Sequence, residues 1–441
     1  MATRTWLFGL LAAAAISSTS AAAAPQISDD DISNSYIYLL GRLLILNQEQ
    51  ADFAHGFKWN TLIHRKPGDV AWPNPNLDVA YSEAWVAIDD DSCVIVTVPK
   101  IKDRYYTVQF LNGWGETVAN INERVYPQHP DGEFGVCLKD SKVKLPDGAQ
   151  RVDVPAKTLR VLSRVELGAN AKEAEALQKK FTLRPTGNPP PPKIAKTPMF
   201  DIGKLPGVEA FDAANLALDS EADINPGMDK LQADTRAVAK DIKDPEFRRR
   251  VANIIQNKAL TKIASSLTNV AGGTVKNGWA LPATSGSYGN NYLLRTIINL
   301  GGIWANTPEE VIYYKAFADE HGKPLNGDDT YVLHFTKDQL PADNATYFWS
   351  VIAVDTIHRR VLPNPLKRYL INNVSKLTYG ADGSLTLYFG KVKPKEAPDG
   401  NWLPTPKGTG YSLTFRFYRP KGEVAARTYF PPGMSKSDAT P

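Results

Sequence analysis

The sequence predicts a mainly β protein built as two antiparallel β-sandwich domains, jelly-roll-like, joined by a helical connector. Three observations carry this. Two blocks, 69–168 and 308–432, are dense in Val, Ile, Tyr and Trp runs broken by turn pairs such as Asn112-Gly113, Asp131-Gly132 and Asp147-Gly148. The stretch between them changes to helical spacing and a Pro-rich linker, GNPPPPK at 187–193. At 441 residues the chain is too long for one typical core.

The first 24 residues read as a signal peptide. Arg4 supplies the positive start, WLFGLLAAAAI (6–16) the apolar run, and Ala-x-Ala before Pro25 the cleavage site. Ser17-Ser18-Thr19-Ser20 interrupts the run well short of the ~20 apolar residues a spanning helix needs. The expected address is periplasmic or secreted, with no membrane span left after cleavage. Residues 29–168 then hold a helix and the first sandwich. The helix is predicted over 29–55, where Asp29, Asp30 and Asp31 suit a helix start and Ile32, Tyr36, Leu39, Leu40 and Leu43 follow at helical spacing. Strands follow at VAYSEAWVAID (79–89), CVIVTVP (93–99), RYYTVQFL (104–111) and LRVLSRVEL (159–167).

The connector is expected over 169–307. Asp244-Pro245-Glu246 opens one helix, and a second amphipathic helix within 286–306 closes at Gly301-Gly302. The second sandwich is expected over 308–441. In SLTFRFYRP (412–420), Leu413, Phe415 and Phe417 share one strand face, while Thr414, Arg416 and Tyr418 share the other.

The charge balance shows no polybasic signature: 51 Lys+Arg against 47 Asp+Glu give a net +4, so nucleic acid is not expected. Cys93 and Cys137 are the only cysteines. In an exported protein an even pair invites a disulfide; two buried thiols are the opposite reading, since a chain this long needs no staple and sequence does not show the Cα separation.

Several motifs resemble a two-domain bacterial family whose halves are known as the domains of unknown function 1254 and 1214. In the N-terminal half, Pro75, Asn76, Asp78, Tyr81 and Ser82 match the family's core motif, with Val79 where Thr is usual; Arg104, Tyr105, Tyr106 and Arg124 match the next block. In the C-terminal half the matches include Tyr288-Gly289, Arg295, Pro308-Glu309-Glu310, Tyr314, Asp319 and FWSV (348–351), with Asp355 kept and Val354 departing. The resemblance implies two β-sandwich domains joined by helices, often exported. It carries no activity over.

Candidate site residues come from these matched positions. Asp78 and Asp355 are the candidate catalytic acids; Tyr81, Arg104, Tyr288, Arg295 and Trp349 are the candidate ligand contacts, in a cleft where domains or connector meet. Strand parity places Asp355 with Trp349 and away from Ser350, which argues against a Ser350–Asp355 hydrolase. The bland reading of Asp355 is a cap on the turn into HRRVLPN. No HxH, HExxH, GxSxG or Walker pattern occurs. The cofactor is open: a divalent metal on His64, Asp78 and Glu83 is one candidate, set against the favoured reading of each histidine as solvated or capping. GSYG (286–289) is a weaker candidate, for an anion at a helix entry. Arg beside aromatics, as in Arg416-Phe417-Tyr418, suits a carboxylate or sulfate clamp, although a core face beside a wet face gives the same pattern. Two function classes follow. One is an envelope protein binding a small-molecule or carbohydrate-like ligand between the sandwiches. The other is a hydrolase, metal-assisted or not, using Asp78, Glu83 or Asp355. A homo-oligomer is compatible with either.

Overall fold

A computed structural model describes residues 27–69, 72–361, 363–405 and 408–437. The expected signal segment, 1–24, lies outside the described residues.

The helix predicted at the start runs Asp29–Ala54. Its cap is Ser28, one residue before the aspartates, whose side chain accepts from the Asp31 backbone N–H at 3.1 Å. The three aspartates sit in the first turn, where negative charge suits the helix dipole. This helix packs along Tyr292–Gly302. Gly41 permits the approach: a Cβ there would meet Thr296 Oγ1 at 2.6 Å. Asp229–Asp241, Pro245–Ile254 and Leu260–Thr268 complete a helical layer around Leu39, Leu43, Val238, Ile254 and Ile297. Asp244 caps the Pro245 helix through Phe247 N–H at 2.7 Å, as its sequence signature predicts.

The first sandwich pairs two sheets. One runs Ile63–His64, Val79–Ala87, Thr158–Glu166, Tyr106–Leu111, Thr117–Ile121 in spatial order. The other runs Gln150–Val154, Gly132–Leu138, Val94–Val98, Thr182–Pro185. Ala84, Val86, Val161 and Val165 from the first meet Val94, Val96, Phe134 and Val136 from the second. Cys93 and Cys137 are joined in a disulfide across neighbouring strands of the second sheet.

The second sandwich repeats the plan. A six-stranded sheet runs Thr274–Lys276, Trp279–Leu281, Val311–Ala316, Tyr411–Tyr418, Trp349–Asp355, Leu370–Asn372. It faces a four-stranded sheet of Trp402–Leu403, Leu385–Phe389, Thr330–Phe335 and Met434–Ser437. Trp279, Tyr314, Leu333, Phe335, Trp349, Phe415 and Phe417 fill the space between.

The structure departs from the sequence reading in two ways. Each sandwich contains one parallel pair, Gly132–Leu138 with Gln150–Val154 and Leu385–Phe389 with Trp402–Leu403, so pairing is mainly but not wholly antiparallel. The stretch read as a connector also contributes strands to both sandwiches: Thr182–Pro185 to the first, Thr274–Lys276 and Trp279–Leu281 to the second. Three- and four-residue strands are too short for alternation to reveal. Among the described residues, no helix is long and apolar enough to cross a membrane.

Candidate functional site

The outer faces of the two large sheets turn toward each other. On the first sandwich, Val79, Tyr81, Trp85 and Leu162 point away from the sandwich interior, and all are buried. On the second, parity puts Tyr313, Lys315, Ser412, Thr414, Arg416 and Tyr418 outward, opposite the core face of Tyr314, Leu413, Phe415 and Phe417. Tyr105 and Tyr418 meet across the junction with ring centroids 5.1 Å apart.

Beside that contact the faces leave a cleft of about 910 Å³ of empty space, its open mouth included. The helix Tyr292–Gly302 and the residues after it form one wall, through Ile297, Ile298, Ile303 and Trp304. The segment Trp72–Asn76 forms another, tied to the 355–361 loop by Asn74 N–H donating to Arg359 O at 2.7 Å.

Arg164, Lys315, Arg359 and Arg416 all line this cleft, and no Asp or Glu lines it among the described residues. Arg416 is 2% exposed. Its Nη2 donates to Asn74 O at 2.8 Å, while its Nη1 is buried with no partner among the described residues. Arg164 donates to Gln109 Oε1 and to Trp304 O, and its guanidinium lies 5.4 Å from the Tyr81 ring centre. Arg359 donates to Ile357 O at 2.7 Å. Lys315 Nζ reaches Gly301 O at 3.4 Å. Burial, with Arg416 and Arg359 adding to it, holds the Lys315 ammonium well below the usual lysine range. Buried cations without acid partners are costly, and carbonyls and tyrosines are the groups that offset the cost here.

The cleft wall is also strained. Asn74, Val270, Ile303, Trp304 and Arg359 line it with φ of 48°, 45°, 22°, 55° and 57°. Positive φ is a genuine outlier for a β-branched residue such as Val270 or Ile303. Strain of this kind clusters at functional sites.

Of the residues expected from sequence, Tyr81 lines this cleft. Asp78 lines a separate hollow with Glu166, Lys367 and Arg368. There Asn372 Nδ2 donates to Asp78 Oδ1 at 2.8 Å, and Oδ2 has no partner among the described residues. Burial raises the pKa of Asp78, and the nearby Ser350 and Asn372 only partly offset it. Glu83 is fully buried between Arg160 and Arg65, and Asp52 Oδ2 approaches Arg160 at 3.4 Å. Arg104 is engaged by Glu166 O, Leu167 O and Glu173 at the edge of the first sandwich. Arg295 pairs with Asp223 at 2.7 Å and stacks on Trp114. Tyr288 is buried, with its hydroxyl unpartnered among the described residues. Trp349 packs on Phe415 inside the second sandwich.

Asp355 shares the parity of Trp349, and that face is the sandwich interior. Its carboxylate accepts from Ile357 N–H at 2.9 Å, His358 N–H at 2.6 Å and Arg360 N–H at 2.7 Å. Burial pushes its pKa up, but these backbone donors outweigh it and hold the carboxyl below its usual range. Asp355 thus shapes the loop that presents Arg359. His64, Asp78 and Glu83 have separate partners, Ser82, Asn372 and Arg160, and no three His, Cys, Asp or Glu side chains among the described residues could together hold a metal. Asn291 caps the Tyr292 helix through Leu294 N–H, so GSYG does not supply that helix entry.

Sequence reasoning missed Arg164 and Lys315. Arg416 carried a signal, the alternation of 412–418 with an arginine on its polar face.

The family model described as Protein of unknown function (DUF1254) matches residues 59–185, and that described as Protein of unknown function (DUF1214) matches residues 310–422. None of the curated proteins matches the chain. The crystal structure of the VPA0106 protein from Vibrio parahaemolyticus superposes with a TM-score of 0.60 at 20% identity, over 93% of this chain and 100% of that one. A Burkholderia cenocepacia protein described as uncharacterised reaches a TM-score of 0.45 at 13% identity, over 91% of this chain and 87% of its own. At such identity the first likeness shows a shared fold alone. The two family matches fall on the two sandwiches in the expected order: the chain belongs to the two-domain family that carries the domains of unknown function 1254 and 1214.

Proposed function

We propose that this is an exported protein that binds a small organic anion, a carboxylate on an apolar body, in the cleft between its sandwiches. One observation carries the reading: four cationic side chains line the cleft and no carboxylate does, among the described residues. Arg416 Nη1 is buried and has no partner among the described residues, a donor that a bound oxyanion would satisfy. The apolar walls at Leu267, Ile297 and Ile298 suit the ligand body. The disulfide between Cys93 and Cys137 is the chemistry of an oxidising compartment, in keeping with the expected export.

The test is thermal melting of the protein with benzoate against benzyl alcohol, which has the same body and no charge. Benzoate at about 100 times its Kd stabilises the fold by about 2.7 kcal/mol, and benzyl alcohol does little. Equal shifts from the two, or stabilisation only by neutral sugars, would sink the reading.

The hydrolase reading retains one specific observation. Glu83 and Asp355 have partners on both carboxyl oxygens, whereas Asp78 lines the second hollow with a raised pKa and a buried carboxyl oxygen that has no partner among the described residues. If that reading holds, Asp78→Asn abolishes any turnover found in an ester and glycoside screen while melting stays within about 1 kcal/mol of wild type.

A further inference from the structure

We infer that Lys315 is a nucleophilic amine that forms an imine with the carbonyl of an oxo acid bound in the cleft. This rests on the anion-binding reading above and adds a covalent step to it. Lys315 projects from the outward face of Val311–Ala316 directly into the cleft. No ion pair to a carboxylate holds it among the described residues, and its one hydrogen bond, to Gly301 O, is long at 3.4 Å. Ordinary buried lysines are neutralised by an acid, because an unpaired ammonium in an apolar wall is costly. Arg416 and Arg359 stand near Lys315, so the same cations that would hold a ligand carboxylate also discourage a third positive charge. An amine desolvated beside other cations is the recognised arrangement for carbonyl attack.

The step balances within the site. The neutral Nζ lone pair attacks the carbonyl carbon. The C=O π pair moves to oxygen, which takes one proton from the now cationic Nζ to give a carbinolamine. The nitrogen lone pair then forms C=N, and the hydroxyl leaves as water with the second Nζ proton. No oxidant, metal or second substrate is consumed. The ligand class follows: a carboxylate for the arginines and a ketone or aldehyde within reach of Nζ. A carbohydrate lacking a carboxylate would not meet both demands.

The experiment treats the whole protein with pyruvate, acetoacetate or levulinate, which place the ketone at increasing distance from the carboxylate, together with cyanoborohydride. Intact mass and peptide mapping then locate any reduced adduct. The expected result is an adduct mapped to Lys315 with at least one of the three, forming roughly tenfold or more faster than on other lysines. Acetone, lacking the carboxylate, should label it poorly. Lys315→Arg and Lys315→Met, each checked for a wild-type melting profile, should lose the adduct; if either unfolds, mapping on the wild type still decides. Adducts spread over surface lysines, equal labelling by acetone, or none at Lys315 would overturn the inference. Benzoate binding is measured alongside. If benzoate binds and no adduct forms, the imine fails and the anion cleft stands; if neither occurs, both fail.

Discussion

Arg160 and Arg164 sit two pleat repeats apart on the same face of the same strand, yet their surroundings are opposite. Arg160 is fully buried against Glu83 and Asp52, with Phe57, Trp85 and Trp304 rings within 4.9–5.7 Å of its guanidinium. Arg164 faces the cleft with Gln109, the Trp304 carbonyl and tyrosine rings, and no carboxylate among the described residues. One region is electrostatically closed and the other is open. A closed charge network specifies packing; an open one leaves a demand that a ligand can meet.

The largest expected effect comes from breaking the closed side. Arg160→Met leaves Glu83 and Asp52 buried without their cation and should cost roughly 3–5 kcal/mol in denaturant unfolding. Arg164→Met leaves no carboxylate behind and should cost about 1–2 kcal/mol, the scale of its lost hydrogen bonds. Equal losses at the two positions would erase the distinction.

The closed side should also dominate the pH dependence. Glu49 lies near Arg42, Glu221 and Asp52, and burial pushes its pKa from 4.5 up to about 7. Below pH 4.5 folded and unfolded chains both hold the proton. Between 4.5 and about 7 only the folded chain holds it, so stability falls as pH rises through that window. The loss attributable to Glu49 is about 3 kcal/mol. Glu49→Gln should flatten the profile by that amount relative to wild type. An unchanged slope would show that Glu49 does not titrate in this window.

The smallest effect sharpens the open side. Asp355→Asn removes the carboxylate oxygen that accepts from Arg360 N–H and should cost about 1 kcal/mol. Because the loop also carries Arg359, benzoate affinity should fall modestly with it. Wild-type affinity in the mutant would separate the loop from the cleft.

The fold was legible where periodicity is long. Asp29–Ala54 and Tyr411–Tyr418 announce themselves by spacing and alternation, and the second lies within the residues that the DUF1214 model matches. The site was less so. Alternation over 412–418 separates Arg416 from Phe415 and Phe417, but the polar face reads as wet, because sequence does not show another sandwich covering it. Parity joined Asp355 to Trp349 correctly, yet that shared face is the sandwich interior. Candidate residues such as Glu83 and Arg295 carry charge for internal pairing, and their partners Arg160 and Asp223 lie far off in the chain. The positive φ of Val270 and Ile303 has no local signal, since nothing in a β-branched residue favours it.

The open cations are proposed as an anion site, and calorimetric titration of benzoate into wild type and Arg416→Gln probes that site itself. Binding to wild type should weaken with salt, and Arg416→Gln should lose roughly tenfold or more in affinity, the equivalent of about 1.4 kcal/mol. Salt-insensitive binding, or the same affinity in the variant, would contradict the anion site.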